Sequence, residues 1–325
     1  MKVLLNNQTY INFTDYGIDL YYNSIASTFS FSSLNDIILN PFGYDEVKIF
    51  DDNDNLLITG TVTGFNKQDT IKPTLTAFGG YSLTGILDDV SVPYPLQTDG
   101  LSLQKIAEKL LKKYNIKMVI DPSSSALMKK SFEKSTASNG QTVANYLTEL
   151  AAQKGLVITH NSIGELIFIK VNYSAKKTYA YFDNSQEIEM SINSQGMHSD
   201  IKIVRQASKG NENAGEFDIK NPYVTKYRPV TRTLSSGDIY SLKEAARYEL
   251  GKELMNINFS ISGTKTFIPA GEVVEIKSDR LGIKNYTKCI VISSSIKGAA
   301  KTETYDLKLQ LLDCFSTDPV KNIFL

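Results

Sequence analysis

The feature that most restricts the fold of this chain is its division into β-type sequence at both ends and helical sequence between them. Short runs that alternate apolar and polar residues fill residues 1 to about 90, and the same alternation returns from about residue 176. Successive side chains on a strand point to opposite faces, so a period of two is typical of strands with one buried face. The alternation predicts a mainly β protein with an α+β insertion.

The first β region contains a predicted hairpin. EVKIF (Glu46–Phe50) and LLITGTVTGF (Leu56–Phe65) flank the turn-forming residues DDNDN, which is a hairpin signal. The acidic loop also suggests calcium, but an EF-hand loop needs Gly at its sixth position and Glu at its twelfth. Leu56 and Val62 occupy those positions, which favours the hairpin. The glycines of FGGY (Phe78–Tyr81), at the end of the region, are expected to form a turn.

The middle of the chain is predicted to contain two helices and a β-hairpin. In SLQKIAEKLLKKY the apolar residues recur at helical spacing, with Ser102 as the N-cap. A second helix follows Asn139-Gly140 and ends at Lys154-Gly155, because a cation and then a glycine are typical of a helix C-terminus. GLVITH and ELIFIKV then flank the turn residues NSIG.

The last region is predicted to return to strands around one further helix. SDIKIVRQ (Ser199–Gln206), VVEIK, KCIVISSSI and TYDLKLQLL alternate at period two. Residues 207–222 are rich in Gly and Asn and are expected to form a mobile loop. A helix is predicted over residues 240–256, with a capping box at Ser241 and Glu244.

The length and the changes of texture together predict three domains. At ~100–200 residues per domain, 325 residues correspond to two or three domains. We expect a β-barrel-like domain over residues 1–90 and a small α+β domain over 91–175. A second antiparallel β-barrel-like domain, which includes the helix at 240–256, is expected over 176–325.

Composition excludes several functional classes. Lys+Arg and Asp+Glu each number 35, so no field of the whole chain attracts DNA or an anionic membrane. No apolar run approaches the ~18–20 residues that span a bilayer. The polar start MKVLLNNQTY does not fit a signal peptide, so we expect a soluble chain that is not secreted. Cys289 and Cys314 lack metal-site spacing and are expected to be reduced, half-buried thiols.

No catalytic, cofactor-binding or metal-binding motif is apparent, and we predict none of these sites. The chain has no G-x-S-x-G elbow, Walker loop or G-x-G-x-x-G. Its two histidines, His160 and His198, have no further ligand at zinc-binding spacing. Asp88 and Asp89 suggest a glycosidase pair, but neighbouring residues on a strand point to opposite faces. A site formed by acidic residues that are distant in sequence but close in the fold stays an open alternative.

The basic stretch TKYRPVTRTL (Thr225–Leu234) has three possible roles: a nucleic-acid patch, a catalytic arginine or an element of architecture. On a strand, Lys226 and Arg228 would share a face, and Pro229 suits a strand end because it has no amide donor. Nucleic-acid surfaces usually carry more cations, with aromatic residues between them. Acids flank this stretch on both sides, so we expect no nucleic-acid binding.

Several motifs stand in an order that resembles one family. Five residues follow the pattern G-x-S-x-x-x-D-L-x-D-x-S, with Ile86 in place of its first Asp; they are Gly80, Ser82, Leu87, Asp89 and Ser91. The helix and strand at Ser102–Met118, and the helix at Thr142–Gln153 with its hairpin, come next. This order resembles the Mu-type baseplate hub proteins of contractile phage tails. They are also called the late-control protein D family and are related to the needle-hub modules of type VI secretion.

The later motifs extend the resemblance over most of the chain, to Ile276. Tyr227, Arg228 and Pro229 match the family segment R-Y-R-P, with Lys226 in place of its first Arg. The helix that follows resembles the family pattern R-A-x-W-E. Ala246 and Glu249 match it, while Ala245 replaces the Arg and Tyr248 replaces the Trp. FSISGTKTFIPAGEVVEI is similar to the family's following strands, with Thr264 in place of Trp.

The resemblance implies architecture without an active site. Family members form trimers in which each subunit gives two similar antiparallel β-barrels, so that three subunits surround a channel with pseudo-six-fold symmetry. It therefore implies a structural protein of the virion baseplate, made in the host cytoplasm. The implied partners are the other copies in the homotrimer, the tail tube or a tube-initiator protein, the central spike and other baseplate proteins. We expect Arg228 to pair with a carboxylate of the same chain or of a neighbouring subunit, with Glu249 as the candidate.

Two other functions stay open on the residues. The chain could anchor a tail-tip protein, associated with a cell-wall hydrolase, in a non-contractile tail. Such proteins usually have a further C-terminal enzymatic domain, and strands that finish shortly before Leu325 argue against this function. The second alternative is a cytoplasmic β protein that binds carbohydrate or nucleic acid.

Overall fold

Strands dominate the fold, and the helices are few and short. The computed structural model describes residues 1–35, 37, 39–40, 42–68, 75–170, 178–183, 187–205, 214–234, 241–299, 302–315 and 319–325. The strands of these residues are β1 (Lys2–Leu5), β2 (Gln8–Tyr10), β3 (Asp15–Tyr21), β4 (Thr28–Ser33), β5 (Glu46–Phe50), β6 (Leu56–Gln68), β7 (Leu75–Ser82), β8 (Met118–Ile120), β9 (Val157–His160), β10 (Leu166–Ile169), β11 (Thr178–Phe182), β12 (Ile188–Ile192), β13 (Asp200–Arg205), β14 (Gly215–Lys220), β15 (Pro229–Leu234), β16 (Ile257–Thr264), β17 (Val273–Ser278), β18 (Ile283–Ala299) and β19 (Thr302–Leu311). The α-helices are α1 (Ile86–Asp89), α2 (Leu103–Leu111), α3 (Ser125–Lys129), α4 (Val143–Ala152) and α5 (Leu242–Leu254).

One large sheet joins the two ends of the chain. Its main path runs β12-β16-β19-β18-β3-β4-β7-β6-β5-β1-β2, and β17 and β11 branch from β18. Strand β18 is the junction, because its residues 293–299 pair antiparallel with β3 and also with β19, while β17 pairs with its first half. The predicted class, mainly β with an α+β insertion, is confirmed, although the described strands form no closed barrel.

Most buried apolar residues of each predicted region cluster with one another, although Ile296 joins the core of the first region and Ile25 that of the middle region. The chain has no Trp, and phenylalanines fill the core of the first region: the rings of Phe31 and Phe78 stack at 5.5 Å, and Phe13 lies 4.7 Å from Phe31. Separate clusters of buried residues form the cores of the middle and last regions. The domain boundaries after residues 90 and 175 stay predictions.

The middle region packs α2 and α4 on the small sheet β8-β10-β9. The side chain of Ser102 accepts a hydrogen bond from the amide of Lys105, which confirms the predicted N-cap. Thr142 caps α4 in the same way through the amide of Asn145. Strands β9 and β10 form the predicted antiparallel hairpin, and β8 adds to it in parallel.

The last region adds a second small sheet, β14-β13-β15, on which α5 packs. Both hydrogen bonds of the predicted capping box of Ser241 and Glu244 are present. Ala246, Leu250 and Leu254 are buried against the sheet side of the helix. No helix in the described part of the chain is long and apolar enough to cross a membrane.

The glycines of FGGY lie within strand β7, so the predicted turn there is wrong. A β-carbon on Gly80 would lie 1.9 Å from the carbonyl oxygen of Thr61 and 2.9 Å from the ring of Phe29. Two strands and an aromatic ring meet there at a distance that only glycine permits.

Three further local predictions need correction. Asp88 and Asp89 lie on α1, because the chain turns into helix directly after β7. Residues 215–220 of the predicted mobile loop form β14, which pairs antiparallel with β13, while residues 207–213 fall outside the described residues. Cys289 and Cys314 are free thiols as predicted, but both are buried rather than half-buried.

Candidate functional site

The basic stretch Thr225–Leu234 runs along the small sheet of the last region, and only its second half is a strand. Pro229 begins β15, where its missing amide costs no ladder bond, and β15 pairs in parallel with β13. Lys226 and Arg228 precede the strand, so they do not share a strand face as predicted. Tyr227 between them is 78% exposed.

Arg228 fastens this stretch to the residues before β13. Its guanidinium donates to the carbonyl oxygens of Ser194 (3.4 Å) and Gln195 (3.2 Å). Its amide donates to the hydroxyl of Ser199 at 2.7 Å, and the amide of Ser199 donates back to the carbonyl of Arg228 at 3.0 Å. The planar guanidinium can hold two carbonyls at once. Arg228 is therefore part of the architecture, through main-chain acceptors.

The predicted pairing of Arg228 with Glu249 is wrong within the chain. Glu249 instead accepts from the ammonium of Lys252 at 3.1 Å, and Arg232 lies 3.8 Å away. Arg228 has its own acceptors, the carbonyls of Ser194 and Gln195. Glu249, Lys252 and Arg232 border a groove of about 400 Å³ between the middle and last regions, whose wall also includes Glu149 of α4.

The buried carboxylate of Glu253 organises the turn that leads into β13. Glu253 is 7% exposed. It accepts from the amide of His198 (2.8 Å), from Nδ1 of His198 (2.7 Å) and from the amide group of Asn221 (3.3 Å). This network ties α5 to the segment before β13 and to the segment after β14. A buried carboxylate needs such partners, because its desolvation is costly.

Sequence reasoning missed this network, although one signal was present. Glu253 lies on the same side of α5 as Ala246 and Leu250, and a carboxylate on an apolar helix face indicates a buried partner. The partners His198 and Asn221 are 55 and 32 residues away along the chain. The local sequence around Glu253 does not indicate which residues are its partners.

His160 holds the middle region against the first. Its Nδ1 donates to the carbonyl of Ser24 (3.1 Å), and its Nε2 accepts from the hydroxyl of Ser27 (2.8 Å). Nearby, the amide of Thr59 donates to the carbonyl of Ser162 at 2.6 Å. Burial lowers the pKa of His160 from its ordinary value, which keeps the ring neutral in this contact.

These side chains hold parts of the chain in contact, and burial and neighbouring charges shift the pKa of several titratable groups. Within the described ranges, no three His, Cys, Asp or Glu side chains are close enough to hold a metal ion. Burial raises the pKa of both cysteine thiols, that of Cys314 to about 12. Asp89 accepts from the hydroxyl of Tyr81, and burial followed by the charge of Asp89 raises the pKa of Asp88. These contacts can hold strands and helices of the fold against one another.

A family of hub proteins matches the middle of the chain. Residues 84–170 match the model of the family described as "Baseplate hub protein gp44-like, second domain". This segment contains α2, α4 and the β9–β10 hairpin. No curated protein sequence matches the chain.

Solved structures of tail proteins share the fold over almost the whole chain. The 43 kDa tail protein of prophage MuSo2 from Shewanella oneidensis has a TM-score of 0.78 at 17% identity, over 96% of this chain and 98% of that one. A tail protein from Neisseria meningitidis MC58 also has a TM-score of 0.78, at 19% identity and over 97% of each chain. The resemblance to baseplate hub proteins is thereby confirmed at the level of the fold.

A secretion-system protein is similar at a greater distance. The E. coli c3393 protein has a TM-score of 0.58 at 11% identity, over 95% of this chain and 76% of that one. It is described as a component of the type VI secretion system with structural similarity to the T4 tail proteins gp27 and gp5. The same arrangement of regions therefore occurs in tail proteins and in a secretion component.

Proposed function

We propose that this protein is the structural hub of the baseplate of a phage or phage-like contractile tail. In this role it forms a homotrimer whose pseudo-six-fold ring joins the tail tube, or a tube-initiator protein, to the central spike. It is made in the host cytoplasm and becomes part of the virion baseplate, where it contacts other baseplate proteins. Its role is structural rather than enzymatic.

The observation that carries this proposal is the agreement of fold over the whole chain with tail proteins. The agreement spans 96–97% of this chain and 97–98% of the Shewanella and Neisseria chains. The match of residues 84–170 to a hub domain supports the particular role within the tail. The likeness to the E. coli protein supports a place in a tail or a tail-like secretion assembly, since its description names the T4 tail proteins gp27 and gp5.

The arrangement of the β regions suits a ring of this kind. Each chain has two β regions with separate cores, and β18 and β3 join them into one sheet. Three copies would present six such regions around one axis. Rigid joining of the two regions keeps their relative position fixed, which a ring between a six-fold and a three-fold partner requires.

Sedimentation velocity and native mass spectrometry of the purified protein test the proposal. We expect a particle with three times the mass of the chain, and a ring with six lobes by negative-stain microscopy. The trimer should bind the tail-tube protein and the spike protein of the same particle in a pull-down. A stable monomer that binds an oligonucleotide or an oligosaccharide would instead establish the cytoplasmic binding protein as the function.

A further inference from the structure

The neutral net charge hides a strong separation of charge along the chain. Residues 1–90 contain four Lys and Arg and eleven Asp and Glu, a net charge of −7. Residues 91–175 contain ten Lys and Arg and six Asp and Glu, a net charge of +4. Residues 176–325 contain twenty-one Lys and Arg and eighteen Asp and Glu, a net charge of +3. The first β region is therefore acidic and the middle region basic.

The basic charge of the middle region is concentrated on one side of α2 and the turn after it. We call this side the lysine face; it consists of Lys105, Lys109, Lys112 and Lys113. These residues recur at helical spacing, opposite the buried side chains of Ile106 and Leu110, and all four are exposed. Four more exposed lysines lie in the segments that follow: Lys117, Lys129, Lys130 and Lys134.

The lysine face has no ion pair in the part of the chain that the structure describes. Glu108 is the acid nearest to it along the helix, and its carboxylate accepts from the amide group of Gln104 at 2.9 Å. Like charges one turn apart on a helix repel each other. The helix dipole favours Lys112 and Lys113 near the C-terminus but disfavours Lys105 in the first turn. The described residues of the isolated subunit therefore leave the four ammonium groups of the lysine face without a carboxylate partner within 4 Å.

The negative charge of the first region is concentrated at one corner. We call this the acidic corner; it consists of Asp51, Asp52 and Asp54 in the β5–β6 turn and Glu303 at the start of β19. The side chains of Asp52 and Asp54 are 77% and 75% exposed, although each also contacts one cation, the N-terminal amine or Lys2. The carboxylate of Glu303 accepts from the hydroxyls of two tyrosines, Tyr16 and Tyr305.

The titration of these tyrosines reflects the negative charge of the corner. Burial, followed by the hydrogen bond and the charge of Glu303 and the charge of Asp52, raises the pKa of Tyr16. The hydrogen bond to Glu303, burial and the charges of Glu303, Asp52 and Asp51 raise the pKa of Tyr305 to about 12. The charges of three carboxylates, Glu303, Asp52 and Asp51, are therefore felt together at this corner.

We propose that the lysine face of one subunit docks on the acidic corner of a second copy of this chain. This inference rests on the proposed function, because a ring closes only when each subunit offers two different surfaces that complement each other. Charge complementarity steers association and suppresses wrong contacts. The lysine face and the acidic corner are opposite in charge and both exposed, and contact between them relieves the repulsion within each.

Charge reversal in the full-length protein tests this docking. The triple variant Lys105→Glu, Lys109→Glu and Lys112→Glu alters only exposed side chains, so we expect the subunit to stay folded, with an unchanged far-ultraviolet circular dichroism spectrum. The dissociation constant of the trimer, measured by sedimentation, should rise at least about tenfold. A matched control, Lys226→Glu, Lys243→Glu and Lys284→Glu, makes the same change of net charge outside the lysine face and should leave the trimer intact. Adding Asp52→Lys and Asp54→Lys to the first triple variant should restore association.

Salt and DNA complete the test. The wild-type trimer should weaken as salt rises from about 0.1 M to about 1 M, because the screening length falls from ~10 Å to ~3 Å.

A triple variant that stays trimeric overturns the docking inference and leaves the proposed function standing. Loss of the trimer without rescue by Asp52→Lys and Asp54→Lys overturns the acidic corner as the docking site. An oligonucleotide that binds the wild type but not the triple variant, with the trimer unaffected, assigns the lysine face to nucleic acid instead. A monomeric wild type overturns both proposals.

Discussion

Replacing Glu253 by Ala should destabilise the protein more than any other single carboxylate change on α5. Glu253 is buried and accepts three hydrogen bonds from His198 and Asn221. In Glu253→Ala these donors lose their acceptor inside the fold. A buried donor left without an acceptor costs about 1–3 kcal/mol, and three donors lose their acceptor here, so we expect a loss of at least about 3 kcal/mol. Glu253→Gln keeps one oxygen acceptor and should cost less, about 1–2 kcal/mol.

Glu249 is the matched control, one helical turn earlier. Its carboxylate contacts Lys252 and Arg232, whose side chains are 50% and 51% exposed. Exposed ion pairs contribute about 0–1 kcal/mol, so Glu249→Ala should have a small effect. The two variants remove the same side chain from the same helix and differ in burial and in partners.

Guanidinium unfolding, followed by far-ultraviolet circular dichroism, gives the free energies. All variants should be compared at one protein concentration, because association contributes to apparent stability. A double-mutant cycle between Glu253→Ala and His198→Ala should show a coupling energy of about 1–3 kcal/mol. Equal losses for Glu253→Ala and Glu249→Ala, or a coupling energy near zero, would refute the role of the buried network.

Three further predictions follow from the contacts described above. Arg228→Ala should lower the melting temperature, and Arg228→Lys should not restore it, because an ammonium lacks the planar fork that holds two carbonyls; an unchanged melting temperature would contradict the role of Arg228 in holding Thr225–Leu234 to the residues before β13. The unfolded chain should take up a proton at His160 before the folded chain does, since burial lowers the pKa in the fold. Stability should therefore decline as pH falls below about 6.5, and the decline should be smaller in His160→Gln in melting curves between about pH 7.5 and pH 5.5; an equal decline in both proteins would exclude His160 as the source. Cys289 and Cys314 should resist a thiol reagent in the native protein and react after denaturation, because burial raises the pKa of both thiols; rapid native reaction of either would show that the region around it opens.

Local patterns were sufficient for most helices and hairpins. The start of α2 at Ser102 and the capping box at Ser241 follow from interactions within four residues. The β5–β6 and β9–β10 hairpins follow from turn residues between alternating runs. These elements could be predicted because the atoms that stabilise them are close in sequence.

Contacts between distant residues could not be predicted in the same way. FGGY has the composition of a turn, but its glycines permit close packing in β7 against Phe29 and Thr61. Arg228 and Glu249 are both charged and near in sequence, yet the path of β15 gives them different partners. Tertiary geometry decides these cases, and a pattern of residue types does not contain it.

The pairing of β3 with β18 has a consequence for the order in which the protein folds. These strands are about 280 residues apart in sequence, and closing so long a loop makes their pairing slow. During synthesis at ~5–20 residues per second, β3 leaves the ribosome roughly 15–55 s before β18. Throughout that interval one edge of β3 lacks its partner, and an open strand edge is a template for pairing with other chains. The β18–β19 hairpin therefore covers the open edge of the first region, and that region is fully paired only when the last long strands have been made.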